Sequence, residues 1–322
     1  MNRRLLTFSL VLAAAFLFAG CTGASGPFPS REIKLIVQAS PGGLSDTISR
    51  VIASLAEKRL GVPVVCENRP GASGALAFSY VARQPADGYT IGHGPVEIAM
   101  VRTLGFGDVG PDEMDLLCLV TKTEAALAVH AGSPWRTFAD FAEAVRARPE
   151  YYVVANSGAG SIWHVNALLM QRAAGLELVH CPFSGSTGAL TALLGRHVDA
   201  AVAGVGEIGP HVEAGSLRAL AIFGEARSGA MPEVPAVTET GYTFGASAWS
   251  GFYGPKGLPA DAKAALVEAI REAFESDAFQ QVCRERGLEP AFLDSEAFAA
   301  FAGEQARFFA TTIPALLGGQ SR

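Results

Sequence analysis

IKLIVQASPGGLSDTISRVIASLAEKRL, residues 33–60, is the stretch that decides how this chain folds. Leu35-Ile36-Val37 is a short apolar run, the pattern of a buried strand. Ser40-Pro41-Gly42-Gly43 is a tight turn, and Ser45 and Asp46 then signal a helix start. Apolar residues recur at Ile48, Val51, Ile52, Leu55 and Leu60, one face of a helix. A strand therefore feeds a Gly-rich loop, and the loop feeds a helix N-terminus. That end carries unpaired N–H groups and the positive pole of the helix dipole, so it seats anions readily. The same βα turn also occurs with nothing bound, and the stretch alone leaves both readings open.

The 322 residues suffice for two domains of ordinary size. With 49% hydrophobic and 17% charged residues, the chain can bury sizeable cores and does not have the composition of a disordered one. The formal net charge is −6, and no cluster of Lys and Arg offers a footprint for nucleic acid. Arg3 and Arg4 precede an apolar run, Leu5 to Phe18, too short to span a bilayer as a free-standing helix. Leu17-Phe18-Ala19-Gly20-Cys21 resembles a bacterial lipoprotein cleavage site, with Phe18 where Leu is usual. On that reading residues 1–21 contain the signal, the Cys21 thiol is lipidated and becomes the mature N-terminus, and residues 22–30 form a Gly/Ser/Pro-rich tether. An ordinary secretory signal cut near Ala24 is the alternative, and both place the body outside the cytoplasm. Cys66, Cys118, Cys181 and Cys283 remain in the body without any CxxC spacing, and buried free thiols are the simpler reading for Cys66 and Cys118.

Further along, strands expected at Val62–Val65 and Thr90–His93 alternate with a small-residue helix, Ala75–Arg83, which argues for a parallel, doubly wound sheet. Leu116–Val129 is a long apolar run with polar Thr121–Glu124 in its middle, fit to pass between two sheets as one strand. Tyr151–Val154, Asn156-Ser157-Gly158-Ala159-Gly160-Ser161 and the helix Ile162–Ala173 repeat the opening design, so the chain offers two anion seats. More strands are expected at Leu178–Cys181, Val198–Ala203 and Ala219–Phe223. Ala246–Tyr253 reads as a strand returning to the first domain, and three helices follow from Ala260 to Leu317.

Several catalytic patterns fail on context. Gly204-Val205-Gly206-Glu207-Ile208-Gly209 matches GxGxxG, but Pro210 follows and only a short helix fits before Gly215, which a dinucleotide-binding crossover does not tolerate. Gly105 to Gly110 also matches, with Pro111 next and no strand leading in. There is no GxSxG, no HExxH and no His pair at ligand spacing, so neither a catalytic residue nor a metal nor a cofactor is expected. His180 and Cys181, adjacent on a strand, point to opposite faces and do not form a nucleophilic pair. His164, in the first turn after the second seat, suits either a structural role or ligand contact.

Six segments then carry a resemblance: IVQASPGGLSDTISR, VVCENRPGASGALAFSYVA, PADGYTIG, VANSGAGSIWH, HCPFSGSTGAL and EAGSLRALAI. In this order, spanning Ser30 to Leu317, they resemble the Bug-type extracytoplasmic receptors of tripartite tricarboxylate transporters. Each segment alone is weak; six in order behind a lipoprotein-like signal are specific. The resemblance implies an α/β, type II periplasmic-binding-protein fold, two lobes joined by two crossing strands. Lobe 1 would be 31–125 plus 250–322 and lobe 2 126–249. It implies a small carboxylate held largely on backbone N–H groups and bridging water by Ser40, Pro41, Gly42, Gly43, Leu44, Ser45 and Asp46 on one side. Ser157, Gly158, Ala159, Gly160, Ser161 and His164 would hold it on the other, with Phe183 and Ala203 at further contact positions. It also implies a monomer that delivers to integral membrane transporter subunits. A ligand-binding module reporting to a membrane sensor is the alternative, and an enzyme on this scaffold would need a nucleophile–base pair that the sequence does not show. The chain departs from the family where Val202-Ala203-Gly204 replaces Phe-Asp-Asn, Phe183 replaces Tyr, Ser184 replaces Lys, and Pro95-Val96-Glu97 replaces a Thr/Ser-rich loop. Apart from Glu97 the distal pocket is less polar, with Trp163 and Trp249 as apolar walls or core residues. A monocarboxylate or an apolar or aromatic acid is as good an expectation as citrate.

Overall fold

The computed structural model describes residues 27–286 and 288–317; the signal segment, Cys21 and the start of the tether lie outside them. The chain begins with β1 (Ile33–Val37), α1 (Leu44–Leu60), β2 (Val64–Asn68), α2 (Ala75–Ala82), β3 (Thr90–Pro95) and β4 (Met114–Thr123). It then enters a second set: β5 (Ala125–His130), α3 (Phe138–Ala147), β6 (Val153–Asn156), α4 (Ile162–Ala174), β7 (Val179–Pro182), α5 (Ser186–Leu194), β8 (Ala200–Gly204), α6 (Val205–Glu213) and β9 (Leu217–Phe223). It returns through β10 (Ala248–Pro255), α7 (Ala260–Glu275), α8 (Asp277–Arg286), β11 (Pro290–Leu293) and α9 (Ser295–Leu317).

The strands form two sheets, ordered β11-β4-β10-β3-β1-β2 and β7-β6-β8-β5-β9. β1 runs parallel to β2 and β3, while β10 lies antiparallel between β3 and β4. In the second sheet β6 is parallel to β7 and β8, and β5 is antiparallel to β8 and β9. Each parallel core places the carboxyl ends of its strands at one edge, where ligand crevices of open α/β sheets form. The loops after β1 and β6 are the two Gly/Ser segments read from the sequence.

The long run 116–129 is two strands rather than one. Glu124 alone separates them: its carbonyl leaves the ladder to accept from Val205 N–H (3.0 Å), and its Oε1 accepts from the Ser247 hydroxyl (2.7 Å) on the returning segment. Burial raises the Glu124 pKa, against the Ser247 hydroxyl and Lys122, which favour the ionised form. The two crossings are thus tied together at one carboxylate. The return is fixed further by Asn166, fully buried, which donates to Ala246 O and accepts from Ala246 N–H (both 2.9 Å).

Ile33, Leu35, Ile48, Ile52, Phe252, Leu266 and Ile270 pack α1 and α7 onto the first sheet. The stripe read from the sequence is the reason α1 lies there: Ile48 and Ile52 are 2% and 1% exposed. Alanines dominate one face of the second sheet, at Ala126, Ala128, Ala201 and Ala203, and let α5 sit close through Leu190 and Leu193. A third cluster joins both lobes through Trp163, Val202, Phe223, Tyr253 and Phe298. The four cysteines of the body are unpaired; Cys118 and Cys283 are buried, and Cys66 and Cys181 partly so. No helix among the described residues is long and apolar enough to cross a membrane.

Candidate functional site

Between the lobes lies a cavity of about 120 Å3. α1 contributes Leu44, Ser45 and Ile48; the crossing strands contribute Thr121, Thr123, Ala248 and Ser250; the second lobe contributes Trp163, Gly204 and Glu207. A larger hollow of about 540 Å3 lies behind the hinge, beside Glu124, Glu225, Arg227 and Glu289, and neither Gly/Ser loop lines it. Chemistry rather than size therefore identifies the site: only the smaller cavity includes a helix N-terminus.

The first loop is held from beneath by Asp46. Its carboxylate accepts from Gly42 N–H (2.9 Å), Asn68 Nδ2 (2.8 Å) and Arg50 Nε (3.0 Å), and the residue is only 4% exposed. Asn68 also donates to Ala39 O, so both sides of the loop are tied to β2. Gly42 has φ of +82°, a conformation that favours glycine, and lets the chain turn back toward α1. Gly43 caps the helix with no side-chain acceptor. As a result the N–H groups of Leu44, Ser45 and Asp46 have no partner among the described residues. Below them Gln38 Nε2 donates to Ser45 Oγ (3.0 Å), and Ser49 Oγ meets His93 Nδ1 (3.0 Å). His93 is fully buried, and burial brings its pKa down to about 4, so the ring is neutral near pH 7. Asp46, expected at the ligand, instead spends its carboxylate inside the loop; only its backbone N–H faces the seat.

The guanidinium of Arg50 and the Gly42 and Asn68 donors hold the Asp46 carboxyl at about 2 despite its burial. Because the folded value lies below the ordinary 3.8, the stabilisation is present above that value and is lost as pH falls toward about 2. Asp46→Ala is expected to cost about 2–3 kcal/mol near pH 7, because it strands the Gly42 and Asn68 donors. In urea titrations the difference from the parent should shrink as pH drops from about 5 toward 2. A difference below about 0.5 kcal/mol at neutral pH, the range of ordinary surface substitutions, would show that Asp46 does not hold the loop.

The second loop is different. Ser161 caps α4 by accepting from His164 N–H (3.2 Å), and Ser157 Oγ donates to Ser161 Oγ (2.9 Å). Gly158 N–H donates to Asn156 Oδ1 (3.0 Å) and Gly160 N–H to His164 Nδ1 (3.1 Å). The latter contact requires a neutral imidazole, and burial lowers the His164 pKa accordingly. Ile162 N–H, the first of α4, donates across the cleft to Glu97 Oε1 (3.4 Å). The two seats that looked alike in the sequence thus have unequal capacity: the first keeps its donors free, and the second spends most of them internally.

Other expected residues divide. Ser40, Pro41, Gly42, Gly43 and Ala159 are exposed on the two loops. Ala203 is 0% exposed with its methyl in the lobe 2 core, because strand alternation turns it away; its neighbour Gly204 reaches the cavity instead. Phe183 packs against the same core and is not among the cavity-lining residues. Trp163 flanks the cavity, and a Cβ on Gly204 would lie 3.1 Å from its ring and 3.1 Å from Glu207 Oε2, so a larger residue there would have to push these side chains aside by a few tenths of an ångström. Trp249 also lines the cavity, and it packs edge-on against Phe298, with ring centroids 5.4 Å apart, in the core that joins the lobes. Two features were not read from the sequence. Glu207, in the first turn of α6, accepts from Gly204 N–H (3.0 Å) and lines the cavity; burial raises its pKa against the Gly204, Ser186 and Trp163 donors. The Gly-x-x-Glu spacing at a helix start was the available signal. The rings of His164 and His180 also lie 5.3 Å apart, and burial together with the neighbouring ring brings His180 down to about 4.

Two α/β lobes, two crossings and a cleft over the carboxyl ends of both parallel strand sets define a bilobal solute-binding receptor. The model of the tripartite tricarboxylate transporter family receptor matches residues 48–316, and the chain belongs to that family. It is 30% identical to the UPF0065 protein in the gbd 5' region of Cupriavidus necator over 280 residues, 86% of this chain and 85% of the relative. It is 28% identical to protein BugT of Bordetella pertussis, covering 96% of this chain and 98% of BugT. Among solved structures, R. palustris Rpa4515 with adipate superposes with a TM-score of 0.80 at 26% identity, covering 90% of this chain and 98% of that one.

Proposed function

We propose that this protein captures a small carboxylate in the periplasm for a tripartite tricarboxylate-type transporter, and that the carboxylate sits on the first turn of α1. The observation that carries this is the set of three unpartnered N–H groups at the start of α1, Leu44, Ser45 and Asp46, of which Leu44 and Ser45 line the interlobe cavity. Charge-assisted hydrogen bonds to such donors are strong and directional. The adipate held by Rpa4515 supports the ligand class. In this proposal residues 40–46 cradle the anion, and residues 157–161 with His164 close over it from lobe 2. Lobe 1 comprises 31–125 and 250–322, and lobe 2 comprises 126–249. The role is binding rather than catalysis; the protein acts as a monomer and delivers to membrane subunits. Purified protein, denatured and analysed by mass spectrometry, should release an organic acid that binds again in calorimetric titration. Release of a compound without a carboxylate, and no binding of any acid, would overturn the proposal.

Cys21 anchors the receptor to the membrane through lipid, by the resemblance of Leu17–Cys21 to a lipoprotein site. Fed a labelled fatty acid, cells should mark the parent and not Cys21→Ser; an unlabelled parent would contradict the anchor.

A further inference from the structure

Two carboxylates of the protein itself stand in the cleft, and the reading above does not use them. Glu97 comes from the loop after β3 in the first lobe, yet its Oε1 lies 3.4 Å from the N–H of Ile162, the first residue of α4 in the second. It occupies the place that an anion would take at that helix end. The neighbouring donors are spent within the loop, Gly158 on Asn156 and Gly160 on the His164 ring. Glu207 stands on the second-lobe wall of the same cavity that Leu44 and Ser45 line from the first.

We infer that Glu97 and Glu207 set the charge selectivity of the cleft, which admits an acid with a single carboxylate and turns away dicarboxylates. This rests on the proposed seat at α1. An acid whose first carboxylate lies on Leu44, Ser45 and Asp46 extends toward the second lobe. There a second carboxylate finds the α4 terminus filled by Glu97 and, with Glu207 ionised, meets a like charge in a partly desolvated space, where repulsion is poorly screened. Arg286, exposed, is the one cationic residue of that lining among the described residues. An apolar tail meets Ile48 and Trp163 instead. Burial raises the pKa of both acids, and their N–H partners oppose the rise. A protonated Glu97 still fills the α4 donor.

The test pairs acids that differ by one charge on the same six-carbon chain, hexanoate and adipate, in calorimetric titration, with benzoate, malate and citrate beside them. The parent should bind hexanoate or benzoate at least tenfold more tightly than adipate, malate or citrate. Glu97→Ala frees Ile162 N–H, and Glu207→Gln removes the charge while keeping an acceptor for Gly204 N–H; melting curves of both variants should match the parent's. Together they should reduce the discrimination at least tenfold; each alone should reduce it in part. Tighter binding of adipate, malate or citrate by the parent would overturn the inference and leave the carboxylate seat standing, as would discrimination that survives both substitutions. Failure of every acid to bind the parent would overturn the seat and the inference together.

Discussion

Gly160→Val is expected to weaken ligand binding at least a hundredfold while the protein still folds. Gly160 has φ of +76°, where an L-residue costs about 1–2 kcal/mol. For a chain of this size that cost lowers the melting temperature by a few degrees, roughly 2–4 °C for each kcal/mol. The binding defect has a separate cause. A Cβ at Gly160 would already lie 3.2 Å from Phe106 Cε2 and 3.3 Å from Leu104 Cδ1, and both side chains belong to the other lobe. Valine adds two methyls beyond that point, so the lobes cannot approach as they do here. Domain closure around a ligand is the motion this architecture permits, and a wedge at Gly160 opposes it. Gly175→Val is the control: Gly175 also has positive φ, +60°, at the C-terminus of α4, but a Cβ there meets nothing within 4 Å. It should lose comparable stability and keep its affinity. Equal binding by both variants in calorimetric titration would show that the contact at Gly160 does not govern closure.

The parts of this fold that the sequence made legible are those set by local pattern. The apolar stripe of residues 48–60 and the turn at Gly42-Gly43 lead to α1 and its loop because hydrophobic period and glycine conformation act over a few residues. The same holds for Ser161, whose hydroxyl caps α4. What was not legible depends on partners distant in the chain. Nothing near Glu97 says that its carboxylate meets Ile162, 65 residues on. Nothing near Asn166 says that it clasps Ala246. The break at Glu124 was visible only as a polar interruption, since its cause is the ladder of a second sheet and the N–H of Val205. Ala203 was misplaced for a simpler reason: one step along a strand reverses the face, and a resemblance aligned by motif does not fix which face meets the cleft. Short edge strand β11 has only four residues, partly buried and led by a proline, too little pattern to stand out.

The central claim is that the ligand's carboxylate rests on the N–H groups at the start of α1, and Leu44→Pro tests it with one atom group. Leu44 is the first helical residue, where proline is well accepted because that N–H makes no intrahelical bond. Gly43, at φ −71° and ψ 171°, already has the extended conformation required before proline. The substitution therefore deletes a donor and leaves the helix in place. Leu44→Ala, which removes the same side chain and keeps the N–H, isolates that donor. Loss of a hydrogen bond to a charged group is worth about 1.5–3 kcal/mol, or about 10- to 100-fold in affinity. Calorimetric titration of the two variants with the acid released from the purified protein should place Leu44→Pro 10- to 100-fold weaker than Leu44→Ala, with matching melting curves. Equal affinities would mean that the carboxylate does not lie on α1.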